Sequence, residues 1–182
     1  MYRRILVPLD GSKLAEQALP HVETIAQGCD TEEVILVSVT ERLPGRAAIA
    51  WPREAWPLSR QEALPGAATP TGPAGIYTRI DAVPLADKVK ELPVAVGKKL
   101  VQAERYLSRI AKRLNRKNIP VRTGVLLGNP AEEIVAIADE LEVDLVLMAT
   151  HGRSGMGRWA FGSVADKVLR ASSVPVLMVR AS

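Results

Sequence analysis

The stretch Asp144-Leu-Val-Leu-Met-Ala-Thr-His-Gly-Arg-Ser-Gly-Met-Gly-Arg-Trp-Ala-Phe-Gly-Ser-Val164, closed by Pro175-Val-Leu-Met-Val-Arg180, decides how this chain folds. An apolar run ends at Ala149. A basic, glycine-rich loop follows, and Gly162-Ser163 opens an amphipathic run in which Val164, Val168 and Leu169 are expected to face inward. A second apolar run, Val174 to Val179, completes the unit. Strand, loop, helix, strand is the pattern of a parallel crossover. The first N–H groups of a helix have no partner inside it, and permissive glycines beside them let an anion such as phosphate approach.

Working outward, the same grammar repeats. Ile5 to Leu9 reads as a short buried strand, and Asp10-Gly11-Ser12 as a turn. Leu14, Ala18, Leu19, Val22, Ile25 and Ala26 recur at helical spacing before Gly28. Val34 to Val39 is nearly all apolar, as a strand covered on both faces should be. Val96, Leu100, Ala103, Leu107, Ile110 and Leu114 form the stripe of a long amphipathic helix. Val121 to Leu127 is a third strand. Asn129-Pro130-Ala131-Glu132 combines a capping side chain, a proline at the first helical position and early acid, and Val143 to Ala149 is the fourth strand. Strands alternating with helices predict an open parallel sheet covered by helices on both faces. Ligands of such sheets bind beyond the carboxyl ends of the strands, where Asp10, Val39, Gly128 and Ala149 fall.

The segment from about 43 to 93 breaks the pattern. It holds eight of the thirteen prolines, which forbid long regular elements. A loop of this length is commonly a lid, a binding loop or a disordered insert. Trp51, Trp56 and Tyr77 give it two readings of equal weight: a cover over the neighbouring pocket or added dimer contacts, or a mobile excursion with a small cluster of its own. Ile80 to Leu92 has room for one short helix.

At 182 residues, 47% of them apolar, the chain is expected to form one domain over 1–182, with the 43–93 insert between the second strand and second helix. The formal charge of +4 is a mild excess without a dense basic block or interleaved aromatics, so nucleic acid is not an expected partner. The basic residues Arg109, Lys112, Arg113, Arg116 and Lys117 read as solvated helix surface. Cys29 is the single cysteine, which excludes an intrachain disulfide and a multi-cysteine metal site. His21 and His151 are too few for a metal set; His151 reads as a structural residue, and Asp144, at the far end of its strand, as a cap or surface residue. No apolar run reaches membrane-spanning length and the first residues make no signal peptide, so the expected location is cytoplasmic.

Ile-Leu-Val-Pro-Leu-Asp-Gly-Ser at 5–12, Gly-Asn-Pro-Ala-Glu-Glu-Ile at 128–134, the 144–155 run and Gly-Ser-Val-Ala-Asp-Lys-Val at 162–168 together resemble the universal stress protein family. The resemblance covers 2–41 and roughly 94–180 and omits the proline-rich middle. It implies a Rossmann-like α/β fold with a five-stranded parallel sheet in the order 3-2-1-4-5, and ATP binding, with Mg2+ held by Ser163 or the phosphates. The family's ATP pattern is Gly, two residues, Gly, nine residues, Gly, then Ser or Thr. Gly152, Gly162 and Ser163 match it, while Ala149 stands at the first glycine. Carried over by position, Asp10 faces the adenine or ribose, Val39 packs near the base, and Gly128 lines the neighbouring loop. Gly152, Arg153, Gly162, Ser163 and Val164 surround ribose and phosphates. The family's last strand pairs across a two-fold, so a homodimer is implied. The expected function is an adenine-nucleotide-binding stress-response or signalling protein, at most a slow ATPase; no Gly-x-x-x-x-Gly-Lys-Ser/Thr motif and no general base stand out. The alternative is a scaffolding or chaperone-like protein that works without nucleotide, and an enzyme with an added catalytic element is a third.

Overall fold

The computed structural model describes residues 2–40, 77–78, 94–150 and 162–180. Five long parallel strands build the sheet: β1 (Arg4–Pro8), β2 (Glu33–Thr40), β4 (Val121–Leu127), β5 (Leu145–Thr150) and β6 (Val176–Arg180). They lie in the order β4-β2-β1-β5-β6, the expected 3-2-1-4-5 when the long strands alone are numbered. Beyond β4 lies a further two-residue strand, β3 (Tyr77–Thr78), contributed by the proline-rich segment. It adds a sixth strand to the five expected. Its short length suits a segment whose prolines cannot donate to a ladder.

The helices α1 (Leu19–Gly28), α2 (Val94–Asn115), α3 (Pro130–Glu140) and α4 (Ser163–Ala171) cover both faces. Each strand sends alternate side chains to the two sides. Ile5, Val7, Val34, Leu36 and Leu147 pack with Leu107 and Leu114 of α2 and with Leu19 and Val22 of α1. Leu6, Ile35, Val37 and Val146 pack with Ile134 and Ile137 of α3 and Val168 of α4. Leu6, Leu36 and Leu147 are fully buried, a burial that stabilises by roughly 1.5–3 kcal/mol per side chain.

The first helical run opens as a 3₁₀ turn over Ala15–Ala18. Pro20 has no N–H to give to Glu16, so Leu19 donates to the Glu16 carbonyl instead. At α3 the Asn129 Oδ1 accepts from the Ala131 N–H at 3.1 Å and Pro130 occupies the first position. At the other edge of the sheet Asp144 has a structural role. Its Oδ2 accepts from the N–H groups of Arg4 (2.7 Å) and Arg3 (2.9 Å), and its own N–H donates to the Arg4 carbonyl. It thereby ties the start of β1 to β5.

Charge is divided between the two faces. Residues 94–117, α2 and the turn after it, carry eight Lys and Arg against the single acid Glu104. Residues 130–144, α3 and its turn, carry six acids and no base. On the basic side Glu23 reaches Arg113 and Lys117, and Glu16 reaches Arg109, so α1 and the turn before it partly neutralise α2. Among the described residues no helix is long and apolar enough to cross a membrane.

Candidate functional site

At the carboxyl edge of the sheet lies a cleft of about 730 Å³. The turn after β1 supplies Asp10 and Gly11, and the ends of β2 and β5 supply Val39, Thr40, Ala149 and Thr150. The start of α4 supplies Gly162, Ser163 and Val164. The middle of α2 supplies Lys99, Gln102, Ala103 and Tyr106, with Pro130 and Ile134 of α3 on the other side of the sheet.

Each contribution has a local cause. Asp10 Oδ1 accepts from the Ser12 N–H (2.8 Å), and Ser12 Oγ from the Ala15 N–H (3.0 Å). This Asx turn, with Gly11 at φ +87°, swings the chain away from the sheet and leaves Asp10 exposed at the cleft. Gly162 is the cap residue of α4, in extended geometry at φ −58° and ψ 151°, with no side chain capping the helix start. Gly162, Ser163 and Val164 at the start of α4 line the cleft, and among the described residues no side chain caps that helix start, an arrangement suited to an anion.

Ala149 is not among the residues of positive φ. Its methyl packs on the α1/α2 core, in the company of Leu147 and Val179. Alanine therefore carries no backbone strain here. Gly128 does not line the cleft; its N–H donates to the Thr40 carbonyl at 3.1 Å, which holds the β4–α3 loop beside β2. The Glu133 side chain occupies the space a Cβ on Gly128 would need, its Cγ 2.7 Å from that point. Gly152, Arg153 and His151 lie outside the described residues, as do Trp51, Trp56 and the segment 80–92.

Two hydroxyls on the cleft walls have almost no accessible surface: Thr150 Oγ1, without a hydrogen-bond partner among the described residues, and Tyr106 Oη, which faces Glu16. Thr150 is 5% exposed and on β5 alternates to the side of Met148, the α3/α4 side. Tyr106 approaches from α2 on the opposite side, with the Arg109 guanidinium 5.4 Å from its ring centroid. Burial pushes the Tyr106 phenol above its ordinary pKa. Glu16, first by its charge and then as a hydrogen-bond acceptor, and after it the charge of Asp10 push it further, against a smaller opposing pull from Arg109. It is a neutral donor at any ordinary pH. Reading the motifs missed Thr150 and the whole α2 wall. The signal for the wall was the spacing 99, 102, 103, 106, one face of a helix.

A model of the Universal stress protein family matches residues 1–180. The chain belongs to the universal stress protein family. It is 31% identical over 181 residues to universal stress protein MJ0577 of Methanocaldococcus jannaschii, across 99% of this chain and 96% of that one. A solved structure of MJ0577 superposes with a TM-score of 0.65 at 28% identity, covering 100% of this chain and 98% of the other. Two more distant structures share the fold. One is a universal stress protein in complex with cAMP, with TM-score 0.60, 20% identity and coverage of 100% and 99%. The other is the Archaeoglobus fulgidus protein in complex with dAMP, with TM-score 0.51, 18% identity and 97% coverage of each chain.

Proposed function

We propose that this universal stress protein, one domain over 1–182 with its 43–93 insert, binds ATP in the cleft. On this reading nucleotide occupancy reports a cellular condition to a partner protein, and hydrolysis is slow at most. The observation that carries it is the uncapped start of α4 at Gly162 and Ser163, on the rim of a cleft at the carboxyl edge of a parallel sheet. Relatives solved with cAMP and dAMP support an adenine nucleotide as the ligand class. The phosphates lie against Gly162, Ser163 and Val164, with Gly152 and Arg153 of the preceding loop. The base lies against Val39 and Ala149, Asp10 accepts from the nucleoside, and Gly128 shapes the loop alongside.

Among the described residues no group of three His, Cys, Asp or Glu side chains could hold a metal ion. On this reading a bound Mg2+ takes its ligands from the phosphates and the Ser163 hydroxyl. Self-association uses β6, which pairs with β5 on one side only among the described residues and leaves Leu177 37% exposed. Ala149, the residue that would favour a nucleotide-independent scaffold, keeps its methyl on the core side and strains nothing. The test is mass spectrometry of whatever the freshly purified protein releases on denaturation, with calorimetric titration of ATP into the stripped protein. Released adenine nucleotide, or saturable ATP binding, is expected. The absence of both would end the reading.

A further inference from the structure

The motifs that carry the family resemblance lie at 5–12, 128–134, 144–155 and 162–168, and none falls on α2. Yet α2 forms one wall of the cleft through Lys99, Gln102, Ala103 and Tyr106. Among the described lining residues two carry a charge, Asp10 and Lys99, and both are exposed. Asp10 accepts the Ser12 N–H with one carboxylate oxygen. Lys99 is paired with no carboxylate among the described residues. Other cations of α2 and the turn after it are engaged elsewhere. Arg109 pairs with Glu16, Arg113 and Lys117 pair with Glu23, and none of the three lines the cleft.

We infer that the Lys99 ammonium makes the cleft selective for phosphate-bearing nucleotides over the bare nucleoside. The inference rests on the reading of the cleft as a nucleotide site and adds to it the residue that sets its preference for charge. An anion in the cleft is opposed by the Asp10 carboxylate, and the full positive charge of Lys99 offsets that repulsion. The helix start at Ser163 contributes only the partial charge of its N–H groups. The direction in which the nucleotide lies does not enter the argument. A lysine carries its charge on a flexible four-carbon stem and can follow an anion across the space it lines. A compact space of about 730 Å³ is roughly 10 Å across, comparable with a screening length of about 8 Å in physiological salt. The ammonium therefore acts on a phosphate in the cleft without a fixed partner oxygen. The competing explanation is a solvated helix lysine, with the phosphates held by the start of α4 and the loop before it alone.

The test titrates adenosine, AMP and ATP by calorimetry into wild type, Lys99→Gln, Lys99→Arg and Lys98→Gln, at about 0.05 M and about 0.5 M salt. Lys98 is exposed on the same helix but does not line the cleft, so Lys98→Gln removes the same formal charge one residue away. Glutamine matches lysine in helix propensity, and both positions are exposed, so the variants should fold as wild type does. At low salt Lys99→Gln is expected to weaken AMP and ATP about three- to tenfold and to leave adenosine within about twofold, with most of the loss gone at high salt. Lys99→Arg should restore AMP and ATP binding, and Lys98→Gln should match wild type with all three ligands. Equal AMP and ATP affinities in wild type and Lys99→Gln would overturn this inference alone. So would a loss shared equally by adenosine, which marks a packing role, or an equal loss in Lys98→Gln, which marks the net charge of the protein. Wild type that binds none of the three removes the nucleotide reading and this inference together.

Discussion

Ala149 lies directly opposite Val179 in the parallel β5–β6 pair, and the two side chains pack on the same face of the sheet. The extra methyl relative to glycine is therefore spent on the core. Ala149→Gly is expected to lower stability by about 0.5–1 kcal/mol through backbone entropy and to change ATP affinity less than about twofold, which is within the noise of a weak contact. Denaturant unfolding and titration calorimetry on the same preparations check both halves.

Ser163 is the first residue of α4, and Asp166 is the acid already in its first turn. A carboxylate at position 163 adds to the favourable side of the helix dipole, worth about 0.3–1 kcal/mol. The same carboxylate would stand where the phosphates are placed. Ser163→Asp is expected to be as stable as wild type or slightly more so, yet to lose at least about tenfold in ATP affinity, the effect of roughly 1.4 kcal/mol of like-charge repulsion. Retained affinity would move the phosphates away from this helix.

Asp144 accepts from two backbone N–H groups at the amino edge of the sheet, remote from the cleft. Its replacement by Ala leaves both donors to water or to nothing. The expected loss is about 2 kcal/mol, since one of the two bonds is solvent-exposed and contributes less. Nucleotide affinity should not change. A chemical-denaturation curve shifted to lower midpoint with the same slope is the predicted signature.

Tyr106 also predicts an alkaline limit. Its phenol is held above the ordinary value of 10.0, so the folded protein keeps a proton that the unfolded chain gives up. Unfolding then releases a proton, and stability falls as pH rises above about 10. Below that value both states are protonated and this residue contributes no slope. Tyr106→Phe should show a shallower decline of Tm between about pH 9.5 and 11 than wild type.

Leu177 on β6 and Leu169 on α4, the second expected from the sequence to face inward, are the large apolar side chains exposed by more than a third among the described residues. Leu177→Lys should shift sedimentation from dimer to monomer, because a charge on an edge strand opposes pairing with another strand. Wild type that already sediments as a monomer at high micromolar concentration would end the dimer reading.

The five long strands and their alternation with helices were legible because each is a compact apolar run bounded by a turn residue or a cap. Asn129-Pro130 marks the start of α3 in both sequence and structure. Asp10, Val39 and Ala149 were legible as site candidates because they fall at the carboxyl ends of parallel strands, and Gly162, Ser163 and Val164 because they match the family's motif at a helix start; the structure brings these six to one cleft. Other features were hidden for physical reasons. The strand Tyr77–Thr78 exists through its pairing with β4, a contact no local pattern announces. The apolar stripe of α2 reveals its buried side, whereas Lys99, Gln102 and Tyr106 gain their meaning from where the helix starts relative to the sheet edge. Asp144 looked like a surface acid because its two partners are backbone groups 140 and 141 residues away.

The separation of charge between α2 and α3 gives the described part of the molecule a basic side and an acidic side that its modest net charge conceals. Retention on a cation-exchange resin is expected to engage the α2 side first, a preference that a molecule with the same +4 spread evenly would lack.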